Sequence, residues 1–137
     1  MKARCVCGDL VLALPGPTNS VSVCHCKECQ RRTGSAFGVG AYYDVSEVEV
    51  TGPANTFSRL GESGAQLTFS FCPRCGANVF WSSSAYPTKL GVAVGAIADP
   101  KFPAPKNSLW EQAMHPWLSM HGVQGRFPGA LNQVDNG

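Results

Sequence analysis

The stretch QLTFSFCPRCGANVFWSS, residues 66–83, decides how this chain folds. QLTFSF and NVFWSS are apolar or alternating segments of strand length, one on each side of a cysteine turn. In CPRCG two residues separate Cys72 from Cys75, the spacing with which a short turn wraps one metal ion. Gly76 follows at once, tolerates the positive φ such turns need, and leaves room for N–H groups to approach sulfur. The pattern predicts two strands joined by a tight turn that is shaped for a metal.

Working outward, most of the chain repeats this strand-and-turn style. RCVCGDLVLALP predicts a strand entering a bend, ended by Pro15, Gly16 and Pro17. SVSVCHC alternates and predicts a strand carrying Cys24 and Cys26, while CKECQRRTGS predicts a helical turn before Gly34. FGVGAYY, VEVTG and KLGVAVGAI predict further strands, and DPKFPAPKN a proline-rich loop. SLWEQAMHPWLSM is apolar without a clear period and is broken by Pro116. The fold class is mainly β, and the chain is expected to form one domain over residues 1–125 with a mobile tail over 126–137.

Bulk properties narrow the function. A chain of 137 residues can bury one core without covalent staples. A net charge of +2 with scattered basic residues leaves a weak footprint for a nucleic-acid backbone, so no nucleic-acid partner is expected. The start, MKARCVCGDL, has no apolar run of signal-peptide length, and no later stretch approaches a membrane span. A cytoplasmic location, a reducing environment and no membrane partner are therefore expected. There, clustered cysteines bind metal more often than they form disulfides, and an odd count of 7 argues against complete pairing.

The cysteines sort into four and three. Cys5 and Cys7 in CVCG are an incomplete pair, as are Cys72 and Cys75; together they make a Cys₄ set, closed as structural zinc sites are. In an extended strand residues i and i+2 point to one side, so each C-x-C is expected to aim two sulfurs at one point. CHCKEC is left with Cys24, Cys26 and Cys29 and a vacant fourth position, the ligand count of a catalytic zinc. Two zinc ions per chain are expected. Other readings of the triplet are closure by His25, His115 or His121, or reactive thiols without metal; His25, in a strand, would face away from Cys24 and Cys26.

Three thiolates outweigh a divalent charge, so such a zinc is a weak Lewis acid toward water. A substrate thiol entering the fourth position would still lose its proton and stay nucleophilic. Lys27, Arg31 and Arg32 flank the triplet and could hold the carboxylates of an anionic thiol such as glutathione, although each also reads as an ordinary solvated charge. A zinc hydrolase is the weaker reading, because no H-x-E motif adjoins the triplet and Glu28 reads as an exposed charge.

CVCGDL, CHCKECQRRTGSAF, FCPRCGANVFW and the late HPWL together resemble the glutathione-dependent formaldehyde-activating enzyme and centromere protein V family, over about residues 4–121. The resemblance implies a Mss4-like fold of several antiparallel β-sheets organised around zinc. It implies a structural zinc on Cys5, Cys7, Cys72 and Cys75 and a catalytic zinc on Cys24, Cys26 and Cys29. The implied activity is that of a carbon–sulfur lyase, joining formaldehyde and glutathione as S-(hydroxymethyl)glutathione. Ser108 and Leu109 depart from a His-aliphatic pair found in some members. A non-catalytic, zinc-stabilised binding module is the alternative that other relatives suggest.

Overall fold

The computed structural model describes residues 1–130. In chain order the strands and helices are β1 (Lys2–Arg4), β2 (Val11–Ala13), β3 (Val21–Cys24), α1 (Lys27–Thr33), β4 (Gly38–Asp44), β5 (Glu49–Thr51) and β6 (Asn55–Leu60). There follow β7 (Gln66–Phe71), β8 (Asn78–Ser83), β9 (Lys89–Ala93), α2 (Val94–Ile97), β10 (Asn107–Leu109) and β11 (Gly125–Arg126). The protein is mainly β, with strands in antiparallel and mixed sheets. Its chain forms two compact units, one of residues 1–18 and 41–102, the other of residues 19–40 and the described residues from 103 onward. Among the described residues no helix is long and apolar enough to cross a membrane.

In the first unit, β1, β2 and β5 make a small antiparallel sheet with Ala3 opposite Leu12 and Leu12 opposite Val50. Ala3 and Leu12 are fully buried while Lys2 and Arg4 point to solvent, the period-2 pattern of a half-buried strand. β6, β7, β8 and β9 form an antiparallel run, and β4 lies beside β9. Inside this unit the core is built from Leu10, Leu12, Ala41, Tyr43, Val79 and Val92. Gly91 lets β9 pass the indole of Trp81, where a Cβ would stand 2.2 Å from Nε1.

The hairpin that decided the sequence reading is present as β7 and β8, with Phe69 opposite Trp81 and a register shift at Ser70/Phe71 beside the cysteine turn. Two expectations change. RCVCGDLVLALP is not one strand: β1 and β2 are separated by a turn that holds both cysteines, closed by Cys5 N–H donating to the Leu10 carbonyl at 3.0 Å. KLGVAVGAI is strand only as far as Ala93, after which Val94–Ile97 is helical and stops at Ala98 with φ 56°. β6 carries no burial pattern, its side chains being mostly exposed, Phe57 among them; full-length pairing with β7 makes it a strand.

In the second unit β10 runs parallel to both β3 and β11, with Leu109 opposite Cys24. Val21, Val23, His25 and Ser108 are buried here. Trp110, with φ 57°, turns the chain out of β10 into a single 3₁₀ turn at Glu111–Ala113. Of the expected tail, residues 131–137 lie outside the described residues. Phe127 N–H donates to the Ser108 carbonyl, and the Gly129 carbonyl accepts from Trp110 N–H.

Candidate metal centres

The first centre lies wholly within the first unit. The turn between β1 and β2 presents Cys5 and Cys7, and the turn between β7 and β8 presents Cys72 and Cys75. The four sulfurs lie within 4.8 Å of one another. Cys5 Sγ to Cys7 Sγ and Cys7 Sγ to Cys72 Sγ are both 3.6 Å. Tetrahedral zinc with thiolate bonds of ordinary length separates its sulfurs by about 3.8 Å, so the donor set fits the ion.

The two turns are built alike. Cys72 N–H donates to the Ala77 carbonyl at 3.0 Å, as Cys5 N–H does to Leu10. Gly8 N–H reaches the Cys5 carbonyl at 3.2 Å and Gly76 N–H the Cys72 carbonyl at 2.8 Å, both glycines having positive φ (86° and 76°). Backbone N–H groups also aim at sulfur: Leu10 N to Cys5 Sγ at 3.2 Å and Arg74 N to Cys72 Sγ at 3.4 Å. The Ala77 and Cys7 N–H groups draw the Cys75 thiol down to about 6. At Cys7 the Asp9 N–H lowers the thiol, but burial and the thiols of Cys72, Cys5 and Cys75 outweigh it and push it up to about 12. A divalent cation placed among these crowded sulfurs would favour the thiolate form of all four.

The second centre lies wholly within the second unit. Cys24 ends β3, and Cys26 is the N-cap of α1, its Sγ accepting from Cys29 N–H at 3.3 Å. Gly34 closes the helix in the left-handed region at φ 68°. The expectation that one extended strand carries both Cys24 and Cys26 is therefore not met: the chain switches from strand to helix between them. The three sulfurs still lie within 4.8 Å of one another and are half-buried. Hydrogen bonds from Cys24 and Cys29 hold the Cys26 thiol far below its ordinary range, with help from the Cys29 and Glu28 N–H groups. The Cys24 thiol is pushed up, first by its contacts with Cys26 and Cys29 and then by burial.

Among the described residues no histidine joins these three sulfurs. His25 is fully buried, with Nε2 3.0 Å from Ser108 Oγ and its ring beside Phe37. His115 places Nε2 2.8 Å from Gln30 Oε1. The basic residues separate as well. Lys27 is exposed, and Arg31 is exposed and paired with Glu28 one helical turn earlier. The hydrogen bond with Cys24 and the charge of half-buried Arg32 favour the Cys29 thiolate, but the neighbouring Cys26 sulfur and burial outweigh them and leave that thiol raised. At Gly38 a Cβ would stand 2.8 Å from Arg32 Nη2 and 3.7 Å from Cys29 Cβ, which locates the guanidinium on the triplet side. Gln30, which bonds the His25 carbonyl, carries no mark in the sequence that sets it apart from any other polar residue.

The family model described as glutathione-dependent formaldehyde-activating enzyme matches residues 1–113. The chain belongs to that family. All 7 cysteines of this family member fall inside the matched stretch. Its fold is also similar to that of a Rhodobacter sphaeroides protein solved by crystallography, with 24% identity and a TM-score of 0.55 over 75% of this chain and 98% of that one. At that identity the likeness speaks for the fold alone, and the fold is consistent with the Mss4-like architecture expected. No curated protein matches the chain.

Proposed function

We propose that this member of the formaldehyde-activating family is a carbon–sulfur lyase that joins a small aldehyde, formaldehyde in the first instance, to glutathione or a similar thiol. The observation that supports it is the three-sulfur centre: Cys24, Cys26 and Cys29 converge, and no histidine or carboxylate among the described residues completes the set. Cys24, Cys26 and Cys29 would hold zinc, which would supply an ion that lowers the pKa of a thiol bound to it while the electron-rich sulfur shell keeps that thiolate nucleophilic. The chain's own part is to hold the sulfurs and orient the substrate. Cys26 is fixed by the N–H of Cys29 at the start of α1, and Cys24 by its place at the end of β3.

In the proposed reaction a bond forms between the thiol sulfur and the carbonyl carbon, and the thiol's proton ends on the carbonyl oxygen as a hydroxyl. The reverse reaction cleaves that carbon–sulfur bond. Arg32, beside Cys29, is the base best placed for a carboxylate of the thiol, with Lys27 and Arg31 as outer contacts. Cys5, Cys7, Cys72 and Cys75 hold a second, structural zinc in this reading. A reducing compartment such as the cytoplasm supplies both the free cysteines and the thiol substrate.

Calorimetry of glutathione with the zinc-loaded protein, together with exchange spectroscopy on a formaldehyde–glutathione mixture, tests the proposal. Glutathione should bind, and exchange should exceed the uncatalysed rate, which is subtracted. Cys26→Ser should keep the fold and lose the excess rate. Absence of both glutathione binding and excess exchange in protein carrying two zinc ions would overturn the proposal.

A further inference from the structure

Gln30 follows the last cysteine of the triplet, and its carboxamide is fully committed. Nε2 donates to the His25 carbonyl at 2.9 Å and to the Ala113 carbonyl at 3.3 Å. A carboxamide has two N–H donors, and both are used. Oε1 must then accept, so His115 Nε2, 2.8 Å away, carries the proton of that hydrogen bond. One side chain thus ties the residue between Cys24 and Cys26 to the 3₁₀ turn that follows β10.

A second tie starts from the same residue. His25 N–H donates to the Leu109 carbonyl at 3.0 Å, and the His25 ring meets Ser108 Oγ inside the unit. The loop that carries three sulfurs is therefore held at His25 by its ring, its N–H and its carbonyl. Of these, the carbonyl contact alone depends on a side chain in the helix that carries Cys29. Without it, Cys29 on α1 and Cys24 on β3 lose a link that sets their mutual orientation.

We propose that Gln30, set by His115, is the positioning residue of the three-cysteine centre. It keeps Cys24, Cys26 and Cys29 aimed at one point without touching the metal or substrate. The inference rests on the reading that this triplet binds zinc. Groups that orient metal ligands through hydrogen bonds change metal affinity by about 10–100-fold when removed, and that range is expected here.

The test uses Gln30→Leu, His115→Phe and His115→Gln in the full chain, with chelator competition for each zinc and visible absorption of the cobalt-loaded proteins. Gln30→Leu should weaken one zinc by about 10–100-fold, leave the other unchanged, and shift the cobalt d–d band of the weaker centre. His115→Phe should reproduce part of this defect. His115→Gln places a side-chain N–H near the position of His115 Nε2, can donate to Gln30 Oε1 and should restore wild-type affinity, which a general loss of packing would not allow. The zinc of the four-cysteine centre reports folding in every variant; if Gln30→Leu does not fold, the two His115 variants decide. Native affinity and native cobalt spectra in Gln30→Leu, or equal loss of both metals in folded His115→Phe, would overturn the proposal. A wild-type chain that binds one zinc overturns the metal reading itself, and the two failures are told apart by that stoichiometry.

Discussion

Replacing Cys72 by serine tests the four-cysteine centre where its mechanical role is greatest. Cys72 is fully buried, and its sulfur meets that of Cys7 from 65 residues away in the chain. A cross-link closing a loop of that length removes conformational entropy from the unfolded chain worth about 4 kcal/mol. That figure is a floor, because metal–ligand bonding in small zinc domains contributes about 10–16 kcal/mol. A domain of this class has roughly 5–15 kcal/mol of total stability, so loss of the link alone removes a large part of it. With the usual unfolding entropy per residue, about 4 kcal/mol corresponds to a fall in Tm of roughly 10–15 °C for a chain of this size. Cys72→Ser should therefore melt at least that much lower or aggregate on expression. Differential scanning calorimetry and zinc analysis of the purified variant measure both quantities. A soluble Cys72→Ser protein with native Tm and a full zinc complement would refute the assignment.

Three further outcomes follow from the same geometry. Under a mild chelator, zinc should leave in two steps, the three-cysteine centre first, with circular dichroism unchanged until the second; loss of both metals together with structure would count against separate roles. Arg32→Ala should weaken glutathione binding more than Arg31→Ala, because Arg31 is an exposed partner of Glu28, and the difference should be largest at low salt; calorimetry at two ionic strengths reads it. Gly52→Ala forces a side chain at φ 99° to within 1.8 Å of the Asp9 carbonyl oxygen, beside the turn that holds Cys5 and Cys7. It should cost about 2–4 kcal/mol and lower zinc retention at the four-cysteine centre, which urea unfolding and metal analysis together would show.

Much of this arrangement was legible in the sequence because its signals are local. QLTFSF and NVFWSS became β7 and β8 with the same bounds, and CPRCG became the turn between them. CKECQRRTGS became a short helix closed by Gly34, as its lack of strand alternation and its glycine indicated. The division of cysteines into four and three followed from counting ligands, and the sulfurs do gather in those two groups. Each of these features depends on residues a few positions apart, or on a donor count that sequence supplies.

What tertiary structure decided involves partners far apart in the chain. β6 could not be read from its own residues, since its exposed side chains carry no burial pattern and its pairing with β7 makes it a strand. The first C-x-C looked extended by sequence, yet the Cys5–Leu10 hydrogen bond and Gly8 bend it into a turn. His25 is an inward anchor on Ser108 rather than a ligand, and the register of β10 against β3 is what brings that hydroxyl to it. Gln30, Ala113 and His115 meet across more than 80 residues of sequence. A hydrogen-bonding side chain carries no mark of which distant partner it will meet. Metal ligands do carry such a mark, because the coordination number of the ion fixes how many must converge.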